Sequence, residues 1–350
     1  MPYFNFSLKS KYNVAIVGAT GAVGGVFLDI LEKRKFPVGN LKLLASSRSA
    51  GRKISFKGKE YKIEELTHNS FKGVDIALFS AGGGISKEYA PSAVKSGAVV
   101  VDNSSAFRLD DGVPLVVPEV NPAAAFKHKG IIANPNCTTI IMLVALKPLY
   151  DYSKIKRVIV SSYQAASGAG ARGVDEVLTQ AKSWGEGKDL NIEYFQHQLL
   201  FNVIPHIDQF TDNGYTKEEM KMFNETRKIM GDEDIRVSAT CVRVPVMTSH
   251  SEAITIETEE KITPDKAKEL FNRAPGIVLM DNTDANEYPM PLYTSGKDNC
   301  YVGRIREDLA YENGLTFWVS GDQLIKGGAL NAVQIAELIC SEEEVRSMAS

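Results

Sequence analysis

The sequence has few cysteines, no excess of charge of either sign and no long apolar run. Its four cysteines, Cys137, Cys241, Cys300 and Cys340, stand far apart with no CxxC pair. That spacing argues against a disulfide framework and against a structural zinc site, so no metal is expected. No apolar stretch reaches the ~18 residues that a membrane span needs. The 40 basic and 43 acidic residues leave a net charge of -3, which gives no electrostatic reason to expect nucleic acid or an anionic membrane as partner. The opening residues lack a basic segment followed by an apolar core and do not read as a secretory signal. A cytoplasmic protein with reduced thiols is expected, and 350 residues are enough for two domains.

What is present is an alternation of strands and helices. An apolar strand over 12–17 runs into Gly18-Ala19-Thr20-Gly21-Ala22-Val23-Gly24, and residues 25–33 have helical spacing. Strand, glycine-rich turn and helix form the context in which backbone amides can approach a pyrophosphate at a helix N-terminus. The spacing is GxxGxxG, a variant of the usual fingerprint. The second strand, 41–45, ends in Ser46-Ser47-Arg48-Ser49 with no acidic residue to hold a ribose 2′-hydroxyl. Arg48 beside Ser49 suits a 2′-phosphate, so NADP is preferred over NAD. Strands over 74–79, 98–101, 115–117 and 130–132 and a helix over 85–96 complete the pattern of a doubly wound parallel sheet. Such folds bind ligands at the carboxyl ends of the strands. Arg108 follows one of those ends, where it suits either an anionic substrate group or a surface ion pair.

Asn134-Pro135-Asn136-Cys137-Thr138-Thr139 lies between the 130–132 strand and the apolar run 140–146. This puts one thiol in the first turn of a buried helix, where the helix dipole favours the thiolate. Taken alone, such a cysteine is more often structural. Beyond it the pattern changes to a second domain. A strand over 157–163 leads into the small-residue loop 164–173, which begins at Gln164 and includes Ser167 and Gly168. Residues 174–182 read as a helix and 183–215 as irregular chain. Thr216 and Glu219 form a capping-box pattern for a helix over 216–228, on which Glu218 and Lys221 share a face, taken alone a solvated surface pair. An extended run over 236–246 contains Arg243, and His250 precedes an alternating strand over 252–258. Arg243 and His250 flank a turn and so can point into one cleft. A helix over 263–275, a strand over 315–320 and a long helix over 321–339 follow.

The ordered set GATGAVG (18–24), SSAFR (104–108), NPNCTT (134–139), QAASGAGARG (164–173), RVPV (243–246) with His250, and GDQLIKGGALNAVQIAE (321–337) resembles the aspartate-β-semialdehyde dehydrogenase family. The likeness runs from Tyr12 to about Leu338; the N-terminal ten residues lie outside it. It implies an N-terminal Rossmann-like doubly wound sheet (11–137, with 324–350 returning to it) and an α+β catalytic and dimerisation domain (138–323). It also implies NADPH-dependent reduction of aspartyl phosphate to aspartate semialdehyde with release of phosphate, in lysine, threonine and methionine synthesis. The expected partners are a small-molecule substrate, phosphate and further copies of the chain, as a homodimer or a dimer of dimers.

The same resemblance assigns roles. Cys137 is the acyl-carrying nucleophile, His250 the general acid/base, and Gln164 orients the substrate. Arg243 binds the substrate carboxylate and Glu218 its amino group. Arg108, Asn136 and Lys221 hold the phosphate. Thr20, Gly21, Ala22, Val23, Arg48, Ser49, Ser167, Gly168 and Gln323 hold NADP. Gln323 departs from the asparagine expected in many members, which keeps an amide but changes its reach. An N-acetyl-γ-glutamyl-phosphate reductase shares the glycine-rich start and the cysteine, but RVPV with His250 favours the aspartyl enzyme. A glyceraldehyde-3-phosphate dehydrogenase would place histidine near Gln164. A non-catalytic redox-sensing NADP regulator leaves Cys137, Gln164, Arg243 and His250 as coincidence.

Overall fold

The computed structural model describes residues 9–341. They divide into two compact units, one formed by the chain up to Asn136 together with the chain from Gly328 onward, the other by Cys137–Gly327. The last stretch of the expected return segment, 342–350, lies outside the described residues, as does most of the N-terminal segment that the family likeness leaves out.

The first unit opens with β1 (Tyr12–Val17), α1 (Ala22–Lys33) and β2 (Val38–Ala45). β1 is apolar on both faces and almost wholly buried, as a central parallel strand covered on both sides must be. The hairpin β3 (Lys53–Phe56) and β4 (Lys59–Glu65) follows, then β5 (Ile76–Phe79), α2 (Gly83–Lys95), β6 (Val99–Asp102) and β7 (Ile131–Ala133). The sheet order is β3-β4-β2-β1-β5-β6-β7, parallel except for the β3–β4 pair. The chain winds outward from β1 in one direction and then from β5 in the other. The β1–β5 boundary is therefore the switch point at which doubly wound sheets open a ligand crevice.

Cys137 begins α3 (Cys137–Tyr152) and the second unit. This unit continues with β8 (Ile155–Gln164), α4 (Ala171–Gly185), α5 (Lys217–Met230), β9 (Arg236–Arg243), β10 (His250–Thr258) and α6 (Pro264–Arg273). Then come β11 (Ile277–Leu279), α7 (Pro291–Thr294), β12 (Cys300–Glu307) and β13 (Gly314–Gly321). Its sheet runs β11-β12-β13-β10-β8-β9, with parallel pairing at β11–β12 and β8–β9 and antiparallel pairing between. The expected cap of α5 is present in full: Thr216 accepts from Glu219 N–H, and the Glu219 carboxylate accepts from Thr216 N–H. The chain then returns to the first unit with α8 (Leu330–Cys340), whose Glu337 pairs with Arg34 at the end of α1. No helix among the described residues is long and apolar enough to cross a membrane.

The architecture is thus the Rossmann-like doubly wound sheet plus an α+β unit expected from the sequence, with four corrections of detail. Residues 115–117 form only an isolated bridge, Leu115 to Ala133, because Pro114 and Pro118 bracket them and proline cannot donate to a ladder. The helix expected over 174–182 starts at Ala171, since Gly170 turns into it at a positive φ of 81°. The helix expected over 321–339 is broken. Gly321 ends β13, and Asp322 Oδ1 accepts from Leu324 and Ile325 N–H to make a turn. A π-helical turn over Ile325–Ala329 follows, and regular helix begins only at Leu330. Finally, the β3–β4 hairpin and β11, α7 and β12 were not anticipated. β3–β4 has a readable signal in its alternation around Lys57-Gly58, both at positive φ.

Candidate active site

In the first unit, the glycine-rich turn joins β1 to α1 at the switch point. Gly18 has φ 88°, and a Cβ there would stand 2.3 Å from the Ser80 carbonyl oxygen at the end of β5. A Cβ on Gly24 would stand 2.4 Å from the Gly18 carbonyl oxygen. Only glycine lets these backbones touch. Gly21 is the N-cap of α1 and supplies no side-chain acceptor, and the first turn carries no acidic residue. Thr20, Gly21 and Ala22 are exposed and Val23 is half-buried; the Gly21 N–H is taken by Gly18 O at 2.9 Å, and the N-terminal end of α1 with its favourable dipole lies in this exposed turn, a cradle that fits a pyrophosphate. Arg48 is exposed and Ser49 half-buried, both in the turn that closes on Ser46 after β2. Arg108 is not a surface residue. It is 7% exposed, donating from Nε to Asn134 O at 2.9 Å and from Nη2 to Asn103 O at 2.8 Å. Asn136 is likewise buried.

In the second unit, strand register brings the chemistry together. Gln164 ends β8 opposite Arg243, the last residue of β9. Ser251 lies opposite Tyr163, so His250, one residue earlier, stands beside Gln164 on the same face. The Gln164 amide nitrogen donates to Thr138 Oγ1 at 2.9 Å, to Ser162 Oγ at 3.3 Å and to Glu218 Oε1 at 3.2 Å. Thr138 follows Cys137 in the first turn of α3, which ties the nucleophile's helix to the amide. The backbone of Gly327 closes on the other side of Cys137: a Cβ there would lie 2.8 Å from the Cys137 Cβ.

Glu218 and Lys221 form an ion pair of 2.9 Å, extended by Asp208 at the same distance from the lysine. Glu218 is only 6% exposed, so the pair is not the solvated surface pair that spacing alone suggests. Burial by itself would lower the Lys221 pKa, but Glu218 and Asp208 outweigh it and hold the ammonium charged. Arg243 is buried, and its Nη1 donates to Ala165 O at 2.6 Å. Burial lowers its pKa below the ordinary value, with Glu218 opposing; a guanidinium stays charged under such shifts.

His250 is fully buried. Its Nδ1 accepts from Ala165 N–H at 3.1 Å, and Nε2 has no hydrogen-bond partner among the described residues. A neutral ring accepting at Nδ1 carries its proton at Nε2. Burial first, then Arg243, lowers the pKa from 6.5 to about 3. Ser167 and Gly168 lie in the short 3-10 turn after Gln164, Ala165 and the extended loop before His250 being joined by Ala166 N–H to Val246 O and Ser167 N–H to Met247 O. A Cβ on Gly168 would meet Arg243 Nη1 at 2.8 Å and His250 Cε1 at 2.9 Å, so both charged and neutral side chains converge on that glycine. Gln323 is buried, accepting at Oε1 from Ser249 N–H at 2.8 Å and donating from Nε2 to Ser167 Oγ at 2.5 Å.

Of the residues singled out in the sequence, Cys137, Gln164, Glu218, Lys221, Arg243, His250, Ser167, Gly168 and Gln323 belong to the second unit, and the glycine turn, Arg48, Ser49, Arg108 and Asn136 to the first. The sequence reading missed Thr138, the Ala165 amide and Gly327. Thr138 sits beside the cysteine and was open to notice; a backbone amide has no sequence signal.

Residues 13–128 match the family model described as semialdehyde dehydrogenase, NAD binding domain, and residues 146–326 match semialdehyde dehydrogenase, dimerisation domain. The chain is 59% identical to an aspartate-semialdehyde dehydrogenase of Aquifex aeolicus over 95% of this chain and 98% of that one. It is 51% identical to the Bacillus subtilis enzyme of the same name over 93% and 96%. The fold is similar to that of aspartate semialdehyde dehydrogenase II from Vibrio cholerae complexed with ASA, with a TM-score of 0.92, 48% identity, and coverage of 95% and 98%. It is also similar to the Candida albicans enzyme with NADP, with a TM-score of 0.75, 26% identity, and coverage of 96% and 100%.

Proposed function

Since the chain belongs to the aspartate-semialdehyde dehydrogenase family, oxidoreductases of amino-acid biosynthesis with an NAD(P)-binding domain, we propose that it reduces L-aspartyl 4-phosphate to L-aspartate 4-semialdehyde with NADPH and releases phosphate. The product would feed lysine, threonine and methionine synthesis. The observation that supports the mechanism is that Gln164, bonded to Thr138 next to Cys137, lies in strand register with Arg243 and His250.

Cys137 attacks the acyl carbon as a thiolate, stabilised by the amides of the first turn of α3. The carbon–oxygen bond to phosphate breaks, phosphate leaves with the electron pair, and a thioester remains on Cys137. A nicotinamide cofactor held on the side of Ser167, Gly168 and Gln323 would supply the hydride for reduction of this thioester. The resulting oxyanion collapses by expelling the Cys137 thiolate, giving the aldehyde. In place of the general acid/base role that the resemblance implies, His250, neutral and protonated at Nε2, would donate a hydrogen bond to the oxyanion in both halves, because burial beside Arg243 lowers its pKa to about 3, too low for a base near neutral pH. Arg243 grips the substrate carboxylate with the part of its fork not held by Ala165 O. Glu218 binds the amino group, and Gln164, fixed by Thr138, orients the acyl group. Lys221, Arg108 and Asn136 take the phosphate.

Thr20, Gly21, Ala22 and Val23 would hold the pyrophosphate, Arg48 and Ser49 the 2′-phosphate, and Ser167, Gly168 and Gln323 the nicotinamide side. NADP is favoured because the β2 end offers Arg48 and no carboxylate. A homodimer is the expected state, given the dimerisation-domain match, and the cytoplasm the expected location. The test is oxidation of aspartate semialdehyde in the presence of NADP and phosphate. Activity that needs both, and that falls by roughly three orders of magnitude or more in Cys137→Ala, is expected. An inactive wild type or a fully active Cys137→Ala variant overturns the proposal.

A further inference from the structure

Glu176 lies on α4, has been given no role above, and is only 8% exposed. Its carboxylate accepts from three successive backbone amides of the irregular segment beyond α4: Glu193 N–H at 2.9 Å, Tyr194 N–H, and Phe195 N–H at 3.4 Å. Such a run of amides on one carboxylate fixes the backbone direction of a segment that has no helix or sheet to hold it. Two side chains of the segment are engaged. The Tyr194 hydroxyl donates to Ala169 O, in the small-residue loop that carries Ser167 and Gly168, at 2.8 Å. The Phe195 ring stands 5.9 Å from the Arg243 guanidinium on one side. On the other it presses on Gly173, where a Cβ would lie 3.0 Å from its Cζ.

We propose that Glu176 is a positioning residue for substrate recognition: it holds the 193–195 segment so that the Phe195 ring backs the Arg243 guanidinium and sets the fork that receives the substrate's α-carboxylate. The physical reason is division of labour on Arg243. Ala165 O pins only Nη1, which leaves the plane of the fork free to rotate about that bond. A ring against the guanidinium face removes that freedom through cation–π attraction. The position of the ring depends in turn on the backbone to which it is attached, and that backbone is tied down by Glu176.

The inference rests on the reading of Arg243 as the carboxylate-binding group, so the test carries a control for that reading. Steady-state constants are measured in the oxidative direction for wild type, Glu176→Gln, Phe195→Leu and Arg243→Lys. Two substrates are used: aspartate semialdehyde, and 3-aminopropanal, which lacks the α-carboxylate. Glutamine keeps the size of Glu176 but offers one acceptor oxygen in place of two, so at least one backbone amide loses its partner. Glu176→Gln and Phe195→Leu are each expected to raise KM for aspartate semialdehyde about tenfold, with kcat within about twofold, as loss of uniform binding requires. KM for NADP and kcat/KM for 3-aminopropanal stay as in wild type. Phe195→Leu keeps the test open if Glu176→Gln fails to fold. An unchanged KM for aspartate semialdehyde in both variants overturns the proposal, and so does an equal loss of kcat/KM on both substrates. If Arg243→Lys itself leaves that KM unchanged, it is the assignment of Arg243 that falls.

Discussion

Ala165 donates its backbone N–H to Nδ1 of His250 at 3.1 Å. The contact decides which nitrogen of the ring carries the proton. Charging the ring would place a second N–H against the first, so the backbone itself opposes the imidazolium. The first prediction is spectroscopic. The His250 ring, with its pKa lowered from 6.5 to about 3 by burial and by Arg243, stays in the Nε2–H neutral form across pH 5 to 8. Nitrogen chemical shifts of labelled histidine measure this directly; an imidazolium signal appearing near pH 6.5 would falsify the assignment. The linkage sign follows. Between about 3 and 6.5 the unfolded chain binds a proton at this site that the folded chain refuses, so the contribution of His250 to stability rises with pH through that window and is lost on acidification.

Gly168 is exposed, yet its missing side chain matters. Alanine there would place a Cβ 2.8 Å from Arg243 Nη1 and 2.9 Å from His250 Cε1. Gly168→Ala is expected to lower kcat/KM by about two orders of magnitude, as misplacement of catalytic groups does. Although the glycine itself sits at the surface, the clash falls on two buried side chains, so a stability loss of about 1–3 kcal/mol by overpacking is expected with it. Kinetics together with a thermal melt checks both halves, and near-normal activity contradicts the convergence described above.

Gly327 is buried against the nucleophile, and a Cβ there would meet Cys137 Cβ at 2.8 Å and its Cα at 3.2 Å. These are atoms of a helix start that cannot rotate away. Gly327→Ala is therefore expected to cost about 1–3 kcal/mol of stability by overpacking. It should also slow alkylation of Cys137 by iodoacetamide, since the helix start shifts. A rate of alkylation equal to wild type argues that the thiol environment is unaffected.

Glu252 is wholly buried on the sheet face that it shares with His250, and neither carboxyl oxygen has a hydrogen-bond partner among the described residues. Burial raises its pKa well above 4.5. Above that pH the unfolded chain releases a proton that the folded chain keeps, so stability falls as pH rises. Glu252→Gln removes that dependence. Its melting temperature should exceed that of wild type by a margin that widens from pH 5 to pH 8. A constant or reversed difference shows the carboxyl to be ionised in the fold.

Much of the fold is legible where local chemistry and global structure agree. Thr216 and Glu219 announce their helix because both halves of the cap lie within one turn, and Gly18 announces its turn because β1 must bend sharply beside β5. Legibility fails where a distant or local competitor wins. The apolar triplet Leu115-Val116-Val117 reads as a strand, but the flanking prolines reduce it to one bridge. Residues 321–339 have helical composition throughout, yet Asp322 turns the chain before the helix begins. In the site, Glu218–Lys221 reads as a surface pair from spacing alone; only packing shows it buried beside Gln164.

The sequence by itself determined the chemistry available to this protein: one cysteine at a strand-to-helix turn, a glycine turn fit for a pyrophosphate, and the side chains that name the family. These are local facts, set by residue type and spacing. The tertiary structure alone decided how the chemistry is tuned. The tautomer of His250, the anchoring of Gln164 by Thr138 and the backing of Arg243 by Phe195 all depend on groups far apart in the chain or on backbone amides. Every residue but proline carries an amide N–H, so sequence cannot mark the one that matters; only the register of β8 against β10 brings Ala165 to His250.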